Sequence, residues 1–422
     1  MNKTFSMVPW AKDSNIYEVN IRQYTEEGSF QAFAKHLPRL KAMGVEILWL
    51  MPITPISQKE RLGSLGSYYA CSSYTKINPE FGNLNDFKQL VETAHQLGFK
   101  LIIDWVANHT GWDHHWTFEH PDWYVKDANG MFTEVNGWKD VIDLDYSQSA
   151  MRAAMIKAMQ YWVRECDIDG FRCDMAHLVP LDFWVEARKQ CDALKPLFWL
   201  AECDEPSYHA SFDVSYAWNW MHITEKHAKG EVSLNHIHNT LHSYTQYPFD
   251  ATKLYFTSNH DENSWNGTEH EKYGPLAKAW WVFGATWHGL PLIYSGQEIA
   301  NSKRLRFFDK DSIDWKQSFV MEPFFQSLLA LRKTNKALSL GETFVLPSDH
   351  SNELMCYLRK YKNHKLLVLI NLSQKNGLKM RVDHPWLEGH FESLFSGLQY
   401  SFKPGESFEL MAGDFLVYHS VE

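Results

Sequence analysis

The chain has 422 residues, of which 45% are hydrophobic and 22% charged, and its formal net charge at pH 7 is -10. This length exceeds the size at which one hydrophobic core usually stops growing, so we expect one large domain with a smaller companion. Because no Lys/Arg block accompanies the acidic balance and no apolar run is long enough to cross a bilayer, neither nucleic acid nor a membrane is an expected partner.

Two features favour a cytoplasmic location. The first ten residues, MNKTFSMVPW, lack the apolar stretch and the cleavage site of a secretory signal. The six cysteines are scattered without CxxC spacing, so we expect free thiols in a reducing compartment. The sequence does not predict an oligomeric state.

From residue 15 to about residue 300, β-rich runs alternate with amphipathic helical stretches, a pattern typical of parallel βα units. The helix after the first strand should be split at Pro38 and end at Gly44, and the helix before the third strand should begin with Asn85 as its N-cap. Eight strands predict an α/β protein with a (β/α)8 TIM barrel. In chain order they are NIYEVNIRQY, VEILWLMP, KLIIDWV, IDGFRCDM, LFWLAE, FDVSYAW, KLYFTSNH and LPLIYSG.

Two regions depart from this alternation. The stretch after the third strand is rich in Trp, His, Asp and Gly, which predicts a short inserted subdomain. After about residue 340 the helical pattern gives way to short strands separated by turn residues, which predicts a C-terminal antiparallel β domain. The predicted division is barrel 1–107, insert 108–146, barrel 147–340 and C-terminal β-sandwich 341–422.

Polar residues follow the ends of the predicted barrel strands, where barrel enzymes carry their reacting groups. Asp104 and His109 follow the third strand, Arg172 and Asp174 the fourth, Glu202 the fifth, and His260 and Asp261 the seventh. Since strand side chains alternate, Arg172 and Asp174 should point the same way into the barrel mouth. Three carboxylates from three strands would then converge on one opening.

This arrangement suits a retaining glycosidase, whose two carboxyl groups stand about 5 to 5.5 Å apart, close to the spacing of neighbouring strands of roughly 4.8 Å. Arg172 should help to keep Asp174 ionised as a nucleophile. Glu202, with a raised pKa in an acidic pocket, should protonate the leaving oxygen. Asp261 can hold sugar hydroxyls or favour the developing cation, and His109 and His260 are expected to be neutral hydrogen-bond partners.

The same segments resemble the four sequence regions of the α-amylase family, glycoside hydrolase family 13. DWVANHT, GFRCDMAH, AECDE and FTSNHDEN occur in the family's order and approximate spacing, and the resemblance extends over residues 15 to 340. It implies Asp174 as nucleophile, Glu202 as general acid/base and Asp261 as transition-state stabiliser. It also implies substrate-binding or supporting roles for Tyr69, Asp104, His109, Arg172 and His260.

Two departures limit what the resemblance implies. Many α-amylases carry Lys-His three and four positions after the nucleophile, where this chain has His177 and Leu178; His177 is kept as a candidate substrate-binding residue. VIDLD does not match the motif that separates starch-type from 1,6-type members, so linkage preference stays open. The predicted reaction requires no cofactor. Asn108 and Asp143 fall near a calcium site of some members, but two ligands are too few to predict one, and calcium is left open.

The sequence therefore predicts a retaining α-glycoside hydrolase acting on malto-oligosaccharides or starch-type α-glucans through a covalent glycosyl-Asp intermediate. A transglycosylase using the same carboxylates is the first alternative, and a non-catalytic carbohydrate-binding barrel is the second. Exo or endo action depends on loops that close the cleft. The four tryptophans expected to line it from the insert are Trp112, Trp116, Trp123 and Trp138.

Overall fold

The computed structural model describes residues 5–248 and 250–421. Residues 1–4, on which part of the signal-sequence prediction falls, lie outside the described residues, as do residues 249 and 422. The bounds predicted for the four segments stay a prediction.

Eight parallel strands form a closed barrel in which each strand pairs with its neighbours in chain order and the eighth pairs with the first. Nearly every residue of these strands is buried, because the barrel interior and the surrounding helices cover both faces. The predicted TIM barrel is thus confirmed. Its strands are Ile16–Val19, Ile47–Leu50, Lys100–Trp105, Gly170–Cys173, Phe198–Ala201, Val214–Tyr216, Thr252–Tyr255 and Leu290–Tyr294.

Helices follow the strands, and no helix among the described residues is long and apolar enough to cross a membrane. Their bounds are Ile21–Tyr24, Phe30–Ala34, Leu37–Met43, Leu84–Gln96, Trp116–Glu119, Ser149–Cys166, Leu181–Asp192, Trp218–Ala228, Leu234–Tyr244, Glu269–Tyr273, Ala277–Thr286, Glu322–Thr334 and Ala337–Leu340.

Three local predictions can be compared with these bounds. The split at Pro38 is confirmed, since Pro38 lies in the first turn of the second half-helix. The first strand is shorter than predicted, because IRQY forms a helical turn. Asn85 is not the N-cap: Asn83 accepts hydrogen bonds from the backbone N–H groups of Asn85 and Asp86, and Asp86 completes a capping box.

The insert is held to the barrel by a small antiparallel pair, in which His109–Gly111 lies beside Val141–Asp143. Trp116 and Trp123 are nearly buried, with their ring centroids 5.0 Å apart. Both rings belong to the core shared with the barrel and neither lines the cavity, so the expectation that they line the cleft is wrong.

The predicted C-terminal antiparallel domain is confirmed. Its six-stranded sheet has the order Glu342–Val345, Leu354–Tyr361, His364–Asn371, Phe415–Ser420, Gly389–Ser393 and Gln399–Phe402. A two-stranded sheet, Leu378–Val382 with Glu406–Leu410, covers one face. Along the second strand Met355 and Tyr357 join the core shared with the barrel, whereas Cys356 and Leu358 join the core between the sheets. Because successive side chains point to opposite faces of the sheet, this strand is buried on both faces.

Candidate active site

Strand register brings the predicted nucleophile and acid to one level of the barrel mouth. Cys173 pairs with Ala201, and the next residue of each strand is Asp174 or Glu202. The Glu202 N–H donates to the Cys173 carbonyl over 3.0 Å. Since parallel neighbours lie roughly 4.8 Å apart, the two side chains leave the sheet side by side, the arrangement expected of a retaining pair, whose carboxyl groups stand about 5 to 5.5 Å apart.

Arg172 joins three carboxyl groups. Its Nη1 donates to Asp174 Oδ1 and to Asp104 Oδ1, both over 3.0 Å, and its Nη2 lies 2.8 Å from Glu202 Oε2. The guanidinium is fully buried, 4.9 Å from the centre of the Trp49 ring. The two-residue spacing of Arg172 and Asp174 thus places both side chains inside the mouth, as strand alternation predicts.

Burial dominates the pKa values of both predicted reacting carboxyls. It raises the pKa of Glu202 to about 7, although Arg172 acts in the opposite direction. It also raises the pKa of Asp174, to about 6, against the same guanidinium. Arg172 therefore favours the ionised form of Asp174, as expected, but does not outweigh burial. Glu202 Oε2 also accepts the Met175 N–H over 2.8 Å, and Met175 has a φ of 40°, in the left-handed region.

His260 differs from the prediction. Its Nδ1 lies 2.5 Å from Glu18 Oε1, and its Nε2 lies 3.3 Å from Asp261 Oδ2. Burial alone would lower the pKa of His260, but the two carboxylates outweigh it and raise that pKa well above its usual value. This raised pKa favours the imidazolium, whereas the sequence predicts a neutral His260. Burial would likewise raise the pKa of Asp261, yet His260 outweighs it and the pKa is lowered.

Tyr69 lies between these groups. Its hydroxyl donates to Asp104 Oδ2 over 3.2 Å and lies 2.7 Å from His260 Nε2, and its ring stacks on the imidazole with centroids 5.5 Å apart. Tyr68, by contrast, is buried outside the cavity wall, with the Arg22 guanidinium 4.2 Å from its ring centre. The structure thus places Tyr69, not Tyr68, beside the carboxylates.

A cavity of about 460 Å³ opens above the carboxylates, a size typical of small-ligand sites. His109 lies in its wall 5.4 Å from the Trp138 ring, and burial lowers its pKa to about 4, so this histidine is neutral as expected. His177 is exposed and does not line the cavity. The lining side chains are Leu62, Ser67, Tyr69, His109, Trp138, Lys139, Asp140, Val141, Asp174, Met175, Glu202, Asp261, Trp265, Phe307 and Phe308, with the backbone of Gly137.

Among the residues that the sequence did not predict, Glu18, Trp265 and Phe307 matter most for the arguments below. Glu18 is a fully buried carboxylate within the strand run IYEV, and an acid in such a run is the one signal that could have identified it. Trp265 and Phe307 face each other at 5.3 Å from the loops after the seventh and eighth strands, and no local pattern marks them. Of the four tryptophans expected at the cleft, Trp138 alone lines the cavity.

The calcium candidates bind each other. Asn108 Nδ2 donates to Asp143 Oδ1 over 3.3 Å, and Asp143 Oδ2 accepts the Val135 N–H over 3.0 Å. In the two described ranges, no three His, Cys, Asp or Glu side chains gather as metal ligands. Calcium also binds through backbone carbonyls and water, so its involvement stays open.

Comparison with known proteins agrees with this geometry. The sequence model of the alpha-amylase catalytic domain matches residues 11–126 and 117–330. A noncanonic maltogenic alpha-amylase, AmyB from Thermotoga neapolitana, is 31% identical with a TM-score of 0.89, over 98% of this chain and 99% of that one. An alpha-amylase from Lactobacillus plantarum is 29% identical with a TM-score of 0.88, over 97% and 99% of the two chains.

Curated relatives are longer. Alpha-amylase MalA from Haloarcula japonica is 26% identical over 87% of this chain, which spans 56% of that protein. A 1,4-glucan:maltose-1-phosphate maltosyltransferase from Streptomyces coelicolor is 23% identical over 84% of this chain, which spans 57% of it. With the catalytic-domain match extending across the barrel and the carboxylates at its mouth, the chain belongs to the α-amylase family.

Proposed function

We propose that the chain is a retaining α-glycoside hydrolase acting on malto-oligosaccharides or starch-type α-glucans. The observation that carries this proposal is the placement of Asp174 and Glu202 on one guanidinium, with a higher pKa for Glu202. Between these two pKa values one carboxyl is ionised and the other protonated, which is the pair that a double displacement requires. The names of the relatives support a malto-oligosaccharide substrate.

In the first step a carboxylate oxygen of Asp174 attacks the anomeric carbon. The bond to the leaving oxygen breaks, and that oxygen takes the proton of Glu202, so a glycosyl ester of Asp174 forms. In the second step Glu202, now ionised, takes a proton from water, and the hydroxyl attacks the anomeric carbon and releases Asp174. Asp261 lies across the cavity as an anion that favours the positive charge developing on the sugar.

These groups supply every proton and electron pair of the two steps, so we propose that no cofactor takes part. The six cysteines are all free and buried, which supports the proposed cytoplasmic location. Measurement of the protein in separated cell fractions tests that location.

The first product anomer tests the mechanism. Proton NMR during the first minutes on maltotriose should show the α-anomer ahead of mutarotation, because two displacements restore the configuration. Asp174→Asn should lower kcat at least ~10³-fold without changing the thermal unfolding temperature. The exposed carboxylate Asp182 provides the matched control, Asp182→Asn, which should retain activity. Initial release of the β-anomer, or an active Asp174→Asn variant, would exclude the assignment.

Transglycosylation, in which a sugar hydroxyl replaces water in the second step, is a second reaction of the same carboxylates. One relative is named as a maltosyltransferase. Trp265 and Phe307 line the cavity beside Asp261, and apolar rings there favour a sugar acceptor over water in the second step. Products from α-1,4 and α-1,6 oligosaccharides of graded length, at low and high concentration, distinguish the reactions. Chain-extended products at high concentration indicate transfer, and shortened products alone indicate hydrolysis.

A further inference from the structure

Glu18 is a buried acid that the proposed reaction does not use. Its side chain is fully buried in the first barrel strand, and Ser295 fixes its backbone by donating its N–H and hydroxyl to the Glu18 carbonyl. Oε1 lies 2.5 Å from His260 Nδ1, whereas Oε2 has no hydrogen-bond partner in the described part of the chain. A buried carboxylate without a cation is costly, so its neighbour His260 should carry the compensating charge.

The surroundings of the two ring nitrogens also favour a charged His260. Nδ1 faces the Glu18 carboxylate, and Nε2 faces Tyr69 Oη at 2.7 Å and Asp261 Oδ2 at 3.3 Å. A neutral imidazole carries a lone pair on one nitrogen. With the proton on Nδ1, the Nε2 lone pair would accept the Tyr69 hydroxyl but would lie 3.3 Å from the Asp261 carboxylate oxygen, and with the proton on Nε2, the Nδ1 lone pair would face Glu18. Only the imidazolium places an N–H toward both carboxylates.

We propose that Glu18 is a positioning residue that keeps His260 in the imidazolium form, and that this charge fixes Tyr69 and Asp261 against the bound sugar. The consequence for sugars depends on the proposed glycosidase function, whereas the protonation state of His260 does not. His260 itself does not react with the sugar. It acts through Tyr69 and Asp261, two side chains that line the cavity.

The proton on His260 Nε2 determines which group donates in each hydrogen bond around Tyr69. His260 Nε2–H points at the Tyr69 hydroxyl, which donates in turn to Asp104 Oδ2, and Asp104 accepts from Arg172. If His260 lost its proton, the Tyr69 hydroxyl would turn to donate to Nε2, and Asp104 would lose one donor. The charged and titratable groups around His260 are Glu18, Asp261, Tyr69, Asp104 and Arg172, with Tyr294 facing Glu18 from the eighth strand.

Glu18→Gln tests the proposal, because it keeps the shape of the side chain and removes its charge. Nitrogen-15 NMR of the imidazoles, with His260→Gln to identify the signals, should show both His260 nitrogens protonated in the wild type from pH 6 to 8.5. In Glu18→Gln the ring should lose a proton within that range, because one of the two flanking carboxylates is gone. Glu298→Gln removes a buried acid that pairs with Arg39 instead, and should leave the His260 signals unchanged. A neutral His260 in the wild type, or an unshifted titration in Glu18→Gln, overturns the proposal.

Kinetics separates positioning from mere packing. In Glu18→Gln the alkaline fall of kcat/KM should begin at lower pH and steepen from one proton to two, since both Glu202 and His260 must then be protonated. A fall by the same factor at every pH would mean that Glu18 only supports the fold, and would overturn the proposed role. If the wild type hydrolyses no α-glucan, the proposed function fails, while the NMR titration still decides the state of His260.

Discussion

Replacing Glu202 by Gln should remove the alkaline limb of the pH profile. Glutamine matches the protonated form of Glu202 in shape and charge but donates no titratable proton. The pKa values of about 6 for Asp174 and about 7 for Glu202 predict a bell-shaped kcat/KM with its optimum near pH 6.5. About 60% of the enzyme then carries the productive pair at the optimum, and at pH 8 only about a tenth of Glu202 is protonated.

The assay is kcat/KM for the hydrolysis of maltotriose between pH 4.5 and 9, because its sugar leaving group needs the proton. Wild type should lose activity about tenfold per pH unit on each side of the bell. Glu202→Gln should lose ~10²-fold or more at the optimum, since the proton donor is gone, and its residual rate should stay level above pH 7. Its acid limb should persist, because Asp174 must still ionise.

Glu205→Gln is the matched control, because Glu205 is an exposed carboxylate three residues further along. It should keep both limbs. The reasoning is refuted if Glu202→Gln retains an alkaline limb with an apparent pKa of about 7, since another group would then supply the proton.

Three further outcomes follow from the same contacts. Trp265→Ala should raise KM about fivefold with little change in kcat, because the half-exposed ring packs against Phe307 in the cavity wall; Phe118→Ala, which removes an exposed ring of the insert, should leave KM unchanged. Burial would raise the pKa of Asp169, but hydrogen bonds from His95 and the Leu101 N–H outweigh it and hold that pKa at about 2. Asp169→Asn should therefore cost about 2 kcal/mol of unfolding free energy at pH 7 in urea titrations, a difference that shrinks as pH falls from about 4 towards 2; an equal cost at pH 7 and pH 2.5 would contradict this. Dialysis against EDTA should leave kcat unchanged, and a loss restored by Ca²⁺ would instead identify a calcium requirement.

The barrel was predictable because its signals are local. Gly44 ends a helix, Pro38 lies in the first turn of one, and apolar runs of three to six residues mark the strands. The N-cap could also have been placed correctly, since Asn83 stands three residues before Asp86 and the capping box requires that spacing. The error at Asn85 came from taking the asparagine nearest to the apolar positions.

The site was predictable only where a strand ends in a polar residue. Asp174 and Glu202 satisfy that condition, so their meeting follows from the topology of the barrel. The proposed charge of His260 rests on Glu18, which lies 242 residues away in the chain and touches it only in the folded barrel. Trp116 and Trp123 show the converse: aromatic composition does not tell whether a ring faces a ligand or its own subdomain.

The different roles of Asp174 as nucleophile and Glu202 as proton donor follow from the charged groups that are buried with them. Two cations, Arg172 and the proposed imidazolium of His260, cannot neutralise all the acids that surround them, so at neutral pH a proton is retained where ionisation is least compensated. Glu202 shares the guanidinium of Arg172 with other carboxyl groups. Asp261, by contrast, lies beside Nε2 of His260, and Glu18 lies beside Nδ1 of the same ring. Removing either cation should therefore change which of these acids holds the proton while the protein stays folded. The five acids are Glu18, Asp104, Asp174, Glu202 and Asp261.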